Sequence, residues 1–349
     1  MTTWAVPVRL AEDPILRPVP WRRMIWVTWR QHRVALGGTF AFLGAAAVCL
    51  SILGVQLHDA YAAAIACHPA RSPACSALVH RFDAMDNFLA NGIILQAVPP
   101  LIGALVGATV LARELESGSF RFSWTQGFVR WRWALAKLVA LGVLVAVVAG
   151  LFGVLTTWYY QPYFAAGNQA LSLSALSPLG SGLFDMRGVA PAAWTLAAFT
   201  LGGLAGMLIR RVVPAIVATL AGYTGLAFVA ATVLREHYLS PLVTSRLNVP
   251  GSAWVLSHWG TRDGKLAFIG GPPLDLLQRF CPAGPSAAVG KSKFTILASC
   301  LTPHGYSLWT GYQPASRFWS FQWIEASWLL ALSALLVVTT VWLVRRRAA

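Results

Sequence analysis

Apolar positions along the chain gather into six long runs, not alternating or narrow stripes. They cover about Val34 to Leu57, Gly92 to Ala112, Trp133 to Trp158, Val189 to Ile209, Val212 to Leu234 and Trp323 to Val344. Each approaches about 20 residues, the length at which an α-helix crosses a hydrocarbon core. None alternates with the two-residue period of a barrel strand. Backbone groups in lipid must bond within their own segment. The pattern therefore predicts an all-α polytopic membrane protein with six transmembrane helices.

Outside the runs the pattern changes. Trp21, Ile25 and Trp29 recur at i, i+4 and i+8 with arginines between them. That spacing predicts an interfacial amphipathic helix lying on the membrane surface. Pro14, Pro18 and Pro20 keep the residues before it irregular. The chain then divides into an N-terminal segment with this helix (1–33), five spans with a polar loop at 113–132 (34–234), a long loop (235–322), and the sixth span with a basic tail (323–349). The long loop is rich in Gly, Pro, Trp and Ser. It shows few periodic runs beyond a short helix expected at Asp275 to Phe280, and it reads as a small folded cap.

Composition agrees with the spans. The chain of 349 residues is 57% hydrophobic and only 11% charged, against about 25% charged in soluble domains, which excludes a freely soluble enzyme. The net charge of +15 would fit nucleic acid if it were not placed by topology. Arg9, Arg17, Arg22, Arg23, Arg30, Arg33, Arg113, Arg121, Arg130, Arg132, Lys137, Arg210, Arg211 and Arg345 to Arg347 fall on one side of the six spans. The short loops on the other side hold only Arg71, Arg81 and Arg187. The positive-inside rule places both termini in the cytoplasm of a multi-pass plasma-membrane protein. The first apolar run is too long for a signal-peptide core, so span one is expected to be an anchor. Nucleic acid is set aside as a partner.

The cysteines fit that placement. Cys49 lies inside span one and reads as a small buried residue. Cys67 and Cys75 share the first outer loop, and Cys281 and Cys300 share the long one. Four cysteines on an oxidising face suggest two disulfides, pairing within each loop being the simplest of three connectivities.

Catalytic signatures are missing: there is no HExxH, CxxC or GxSxG, and the histidines stand singly. Gly284 to Ser292 (GPSAAVGKS) imitates a phosphate loop. It has five residues where that loop has four, and no apolar strand precedes it. No cofactor or metal is expected on this chain. Ion-coupled carriers place ionisable groups within the membrane. Only Glu325, near the outer end of span six, approaches this, and it reads as an interfacial residue facing water. Energy for any transport would then come from a partner, and the substrate would be apolar or amphipathic.

The richest stretch is Leu111 to Leu138. Span two runs into Arg113, Glu114, Leu115 and Glu116. Gly118, between Ser117 and Ser119, is placed to end that helix. Gln126-Gly127 makes a turn, and Arg130, Arg132 and Lys137 open span three. Positive-inside bias does not call for acids here. Glu114 and Glu116 read either as contacts for a partner's basic groove or as a local salt-bridge set with Arg113 and Arg121.

The pattern Glu116-x-Gly118-Ser119, Thr125-x-Gly127-x-x-Arg130, then Trp133 and Lys137, resembles the type-2 ATP-binding-cassette (ABC) permease family. The phrases RELESGSFRFSWTQG and YQPASRFWSFQWIE are similar to an actinobacterial branch of it. Gly127, Ser119 and Ala136 depart from the family's usual Pro, Thr and Gly. The resemblance implies a transport subunit without its own ATPase, paired with itself or a sister permease. ATP would sit on a separate nucleotide-binding subunit. It further implies that Arg113, Glu114, Glu116, Gly118, Ser119 and Arg130 form the surface on which that subunit docks. Two alternatives stand beside this reading. One is a lipid-modifying membrane enzyme built on His80, Arg81, Asp83 and Asp86. The other is a non-transporting scaffold that docks an ATPase.

Overall fold

The computed structural model describes residues 20–68, 72–85, 96–118, 130–168, 177–245, 249–250, 252–281 and 300–347. Six helices in it are long and apolar enough to cross a membrane. They are α1 (Trp21–Ala66), α3 (Val98–Ser117), α4 (Arg130–Asn168), α5 (Ala190–Ile209), α6 (Val212–His237) and α8 (Phe318–Arg347). A short α2 (Pro73–Ala84) follows α1, and α7 (Leu274–Phe280) lies in the long loop.

α5 is the axle of the bundle. Ala193, Trp194, Ala197, Ala198, Phe199 and Ala205 are all buried, and helices α3, α4, α6 and α8 pack around it. Its contact with α3 is made backbone to backbone. Gly202 of α5 sits against Gly103 and Gly107 of α3, Gly206 against Ala108 and Ala112, and Gly103 and Gly107 themselves against Ala198 and Phe199, so two GxxxG patterns meet. A Cβ at Gly103 would come within 2.4 Å of the Ala198 Cβ, and one at Gly206 within 2.6 Å of the Ala108 carbonyl oxygen. Lipid tails are as apolar as leucine, so helices in a membrane associate through such close packing. The hydrogen bonding of α3 widens to the π pattern over Gly103–Ala108, where the two backbones meet. By contrast α1, α4, α6 and α8 expose Phe42, Val48, Leu151, Val217, Phe228 and Val338 outward, as lipid-facing surfaces do.

Three expectations are corrected here. Residues 21–33 are not a separate interfacial helix: α1 runs unbroken for 46 residues. Pro20 stands before its first residue, and no proline follows until Pro69, so nothing breaks the backbone between the tryptophan segment and the span. Trp21, Ile25 and Trp29 do form an exposed apolar stripe on its first turns. Cys49 is not buried; it faces out of the bundle.

The third correction concerns fold class. The chain is not all-α, because the long loop folds a four-stranded antiparallel sheet: β1 (Leu242–Thr244), β2 (Trp254–Arg262), β3 (Lys265–Ile269) and β4 (Tyr306–Gln313), in the order β1-β4-β2-β3. The hairpin between β2 and β3 turns on Asp263-Gly264, both at positive φ (51° and 76°), the geometry that suits a two-residue connection between right-twisted strands. Disulfides Cys67–Cys75 and Cys281–Cys300 are both formed. The second ties α7 to the chain entering β4, over a cluster of Phe268, Phe280, Leu301, Tyr306 and Leu308.

Candidate functional site

Alternating helix directions give the bundle two ends. The terminal face holds the start of α1, the end of α3, the start of α4, the α5–α6 turn and the end of α8. The sheet face holds the start of α5, the end of α6 and the start of α8. Among the described residues each face carries an ionic cluster.

At the sheet face the segment 184–190 is fixed by its neighbours. Gln322 of α8 accepts from the Val189 and Ala190 amides at 3.1 and 2.9 Å, and donates to the Phe184 carbonyl at 3.0 Å. It thereby satisfies the free amides that begin α5. Gly188, at φ +63°, donates to Thr157 of α4, and a Cβ there would lie 2.8 Å from the Gln322 Oε1. This turn presents Asp185 to Arg235 at the end of α6. Arg235 also reaches Glu325 of α8 through Nε at 3.1 Å and Nη2 at 2.8 Å; its Nη2 is paired with Asp185 as well.

The network continues outward. Trp194 donates to Glu325 at 2.8 Å, Tyr238 donates to it at 3.1 Å, and Trp328 donates to the Tyr238 hydroxyl at 2.8 Å. Glu325 is fully buried and Arg235 is 1% exposed. The expectation of a water-facing Glu325 is therefore overturned. The sequence shows Arg235 and Glu325 as charges at two span ends. That both ends lie at one face, where opposite charges can meet, is the signal that sequence reasoning passed over.

One guanidinium serves two carboxylates, the fully buried Glu325 and the partly exposed Asp185, leaving one surplus negative charge. Burial pushes the Asp185 carboxyl up from its ordinary value to about 7, outweighing Arg235, with Glu325 beside it pushing the same way. A proton on this pair near neutral pH balances the cluster. The network joins Trp194 of α5, Arg235 of α6 and Glu325 of α8, and so holds these three helices in one register at this end. Tyr238, Leu239 and Trp254 join Phe184, Phe318 and Phe321 in an apolar cluster, which seats the sheet on the helices.

At the terminal face Gly118 takes the left-handed conformation (φ 72°) and ends α3. Just before it, Glu114 pairs with Lys137 of α4, which is 2% exposed. The Lys137 ammonium also lies 4.5 Å from the Trp133 ring centre. Glu116 reaches elsewhere: its Oε2 accepts from the Val212 amide at 2.9 Å, capping the start of α6. The α5–α6 turn is only Arg210-Arg211, with Arg210 left-handed. The two acids thus brace α3 against α4 and against α6. Arg113 and Glu116 remain exposed at the surface, while Glu114 is mostly covered. Arg132 stacks 4.9 Å from the Trp21 ring, joining α4 to the first turn of α1.

Of the residues expected to dock a partner, Arg113, Glu114, Glu116 and Gly118 gather at this face. Arg130 begins α4, and its side chain is not described; Ser119, Arg121, Thr125 and Gly127 lie outside the described residues, as do the 284–292 segment, Arg9, Arg17 and Asp86. The remaining candidates for a lipid enzyme do not converge. His80 and Arg81 are exposed on α2 and Asp83 is half-buried. Among the described residues no group of three potential metal ligands occurs.

Comparison with known proteins adds one finding. A model of the ABC-2 membrane transporter related family matches residues 40–235. No curated protein and no solved structure matches the chain. The matched segment runs from α1 to Arg235 of the sheet-face network, taking in the paired glycines of α3 and α5 and the terminal-face brace. Six membrane-crossing helices with a family match over more than half the sequence make one conclusion: this chain belongs to the ABC-2 membrane transporter related family.

Proposed function

We propose that the chain is the membrane-spanning subunit of an ATP-driven exporter, carrying an apolar or amphipathic substrate across the plasma membrane. In this reading both termini are cytoplasmic, the sheet is extracellular, and a separate ATPase subunit docks on the terminal face. The permease works as a pair, with itself or with a sister chain. The observation that carries the reading is the terminal-face brace. Glu114–Lys137 and Glu116–Val212 tie the end of α3 to α4 and α6, beside the loop where the family places its ATPase contact. A push on that loop would reach three helices at once.

The asymmetry of the two faces supports the same mechanism. At the sheet face a buried ionic network locks α5, α6 and α8 together. At the terminal face the ties are fewer and nearer water. Motion driven from the cytoplasm would then pivot about the sheet-face lock. Docking falls to the exposed Arg113 and Glu116, with Glu114 acting as a brace behind them.

The test is transport. Inside-out vesicles from cells expressing this chain with its partner ATPase subunit should accumulate amphipathic dyes when given ATP. The accumulation should vanish when the ATPase is catalytically dead. A complex that hydrolyses ATP yet moves none of a broad dye panel would favour the scaffold alternative.

A further inference from the structure

Arg187 stands apart from both clusters. It follows Asp185 by two residues, but it lines a cleft between α4 and α8 with Val154, Trp158, Phe164, Gly188 and Trp319. Its side chain is 8% exposed, and its Nε and Nη1 have no hydrogen-bond partner among the described residues. The guanidinium is clamped instead between rings, 3.9 Å from the centre of Phe164 and 4.9 Å from that of Phe318. Rings can hold a cation over their faces, but they accept no in-plane N–H bonds from it. Burial lowers its pKa to about 10, which leaves it charged at neutral pH. An unpaired buried charge is costly, and arginine's fork fits an oxyanion with two parallel hydrogen bonds.

The shape of the cleft indicates what brings that oxyanion. It encloses about 680 Å³ and runs along α4 from Ala165 to Val154, about 16 Å at helical rise. Apart from Arg187, Thr157 and Gln161 its walls are apolar or backbone. It opens outward past Val154, 66% exposed, and Trp319, 54% exposed, the direction in which the bilayer lies. Gly188 and Val189 place its head at the sheet-side end of the spans, at headgroup depth. Among the described residues no carboxylate lines it to receive a cationic headgroup.

We propose that this cleft binds an anionic phospholipid, its phosphate on the Nε and Nη1 edge of Arg187 and one acyl chain along α4. The site is independent of the transport reading and needs no ATPase.

The full-length chain purified in a neutral detergent tests it by native mass spectrometry and melting temperature, titrated with phosphatidylglycerol, phosphatidylcholine or inorganic phosphate. Phosphatidylglycerol should remain bound and raise the melting temperature. Phosphatidylcholine should bind at least about tenfold more weakly, about 1.4 kcal/mol, and inorganic phosphate alone should have no effect. Arg187→Gln should lower phosphatidylglycerol affinity about tenfold or more, with Arg187→Lys between the two. Ala165→Phe, which fills the apolar wall and leaves the guanidinium in place, should lose the lipid as well; it decides the matter if Arg187→Gln does not fold. Equal binding of the two lipids, stabilisation by phosphate alone, or unchanged binding in Ala165→Phe would overturn the proposal.

Discussion

Arg235 is the residue on which the sheet face turns. It is buried against Asp185 and Glu325, so Arg235→Met leaves two acids facing each other without a cation. Removing one member of a buried pair costs roughly 3–5 kcal/mol, and the variant should show a large drop in melting temperature in detergent. Glu325→Gln keeps an acceptor for Trp194 and Tyr238 and should be much milder. A melting temperature for Arg235→Met equal to wild type would mean that the network holds nothing together. Asp185 adds a pH dependence. Its carboxyl is raised from 3.8 to about 7 in the fold, so its protonated form is the one the fold favours. The stability it supports is full below about pH 4 and is lost as pH rises to about 7. Melting temperature should fall across that window, and Asp185→Asn should flatten the fall.

The same residue scale shows why sequence reasoning misread Glu325. Hydropathy registers a charge near a span end and assigns it to water. Its partner, Arg235, lies 90 residues away in sequence, and only the packing of α6 beside α8 joins them. Glu114 and Glu116 were legible as an anomaly, two acids where bases were expected. Their partners, Lys137 and the Val212 amide, depended on how α3, α4 and α6 meet.

At the scale of elements, the helices were legible and their joints were not. Six apolar runs are a strong signal because lipid forces helices on them. The facing glycine pairs of α3 and α5 are visible as GxxxG patterns, yet nothing local says that they face each other. Gly206→Leu should separate these helices, since even a Cβ would sit 2.6 Å from the Ala108 carbonyl oxygen. The expected outcome is loss of the folded, monodisperse protein on size-exclusion chromatography, whereas Gly225→Ala, with open space around it, should be tolerated. The sheet was legible in part. Asp263-Gly264 between apolar stretches is a strong hairpin signal, but it is diluted in a long Gly- and Pro-rich loop. Cys281→Ser with Cys300→Ser should loosen α7 from β4. Closing a loop of this size contributes about 3 kcal/mol, so the double variant should become protease-sensitive around Phe280 while the spans stay folded.

For the whole molecule, the bundle is locked at the sheet face and braced more lightly at the terminal face, the face proposed to receive an ATPase subunit. The most direct measurement is capture of a partner ATPase subunit by this chain on co-purification from a mild detergent. It would compare wild type, Arg113→Ala with Glu116→Gln, and Glu114→Gln. Glu116→Gln keeps an acceptor for the Val212 amide and removes only the charge. The account predicts stoichiometric capture by wild type. It predicts loss of at least about tenfold in affinity for the Arg113 and Glu116 double variant, about 1.4 kcal/mol, with its melting temperature kept. Glu114→Gln should lower stability before it lowers capture. Full capture by the double variant would move docking away from these residues, and no capture by wild type would contradict the powered-permease reading itself.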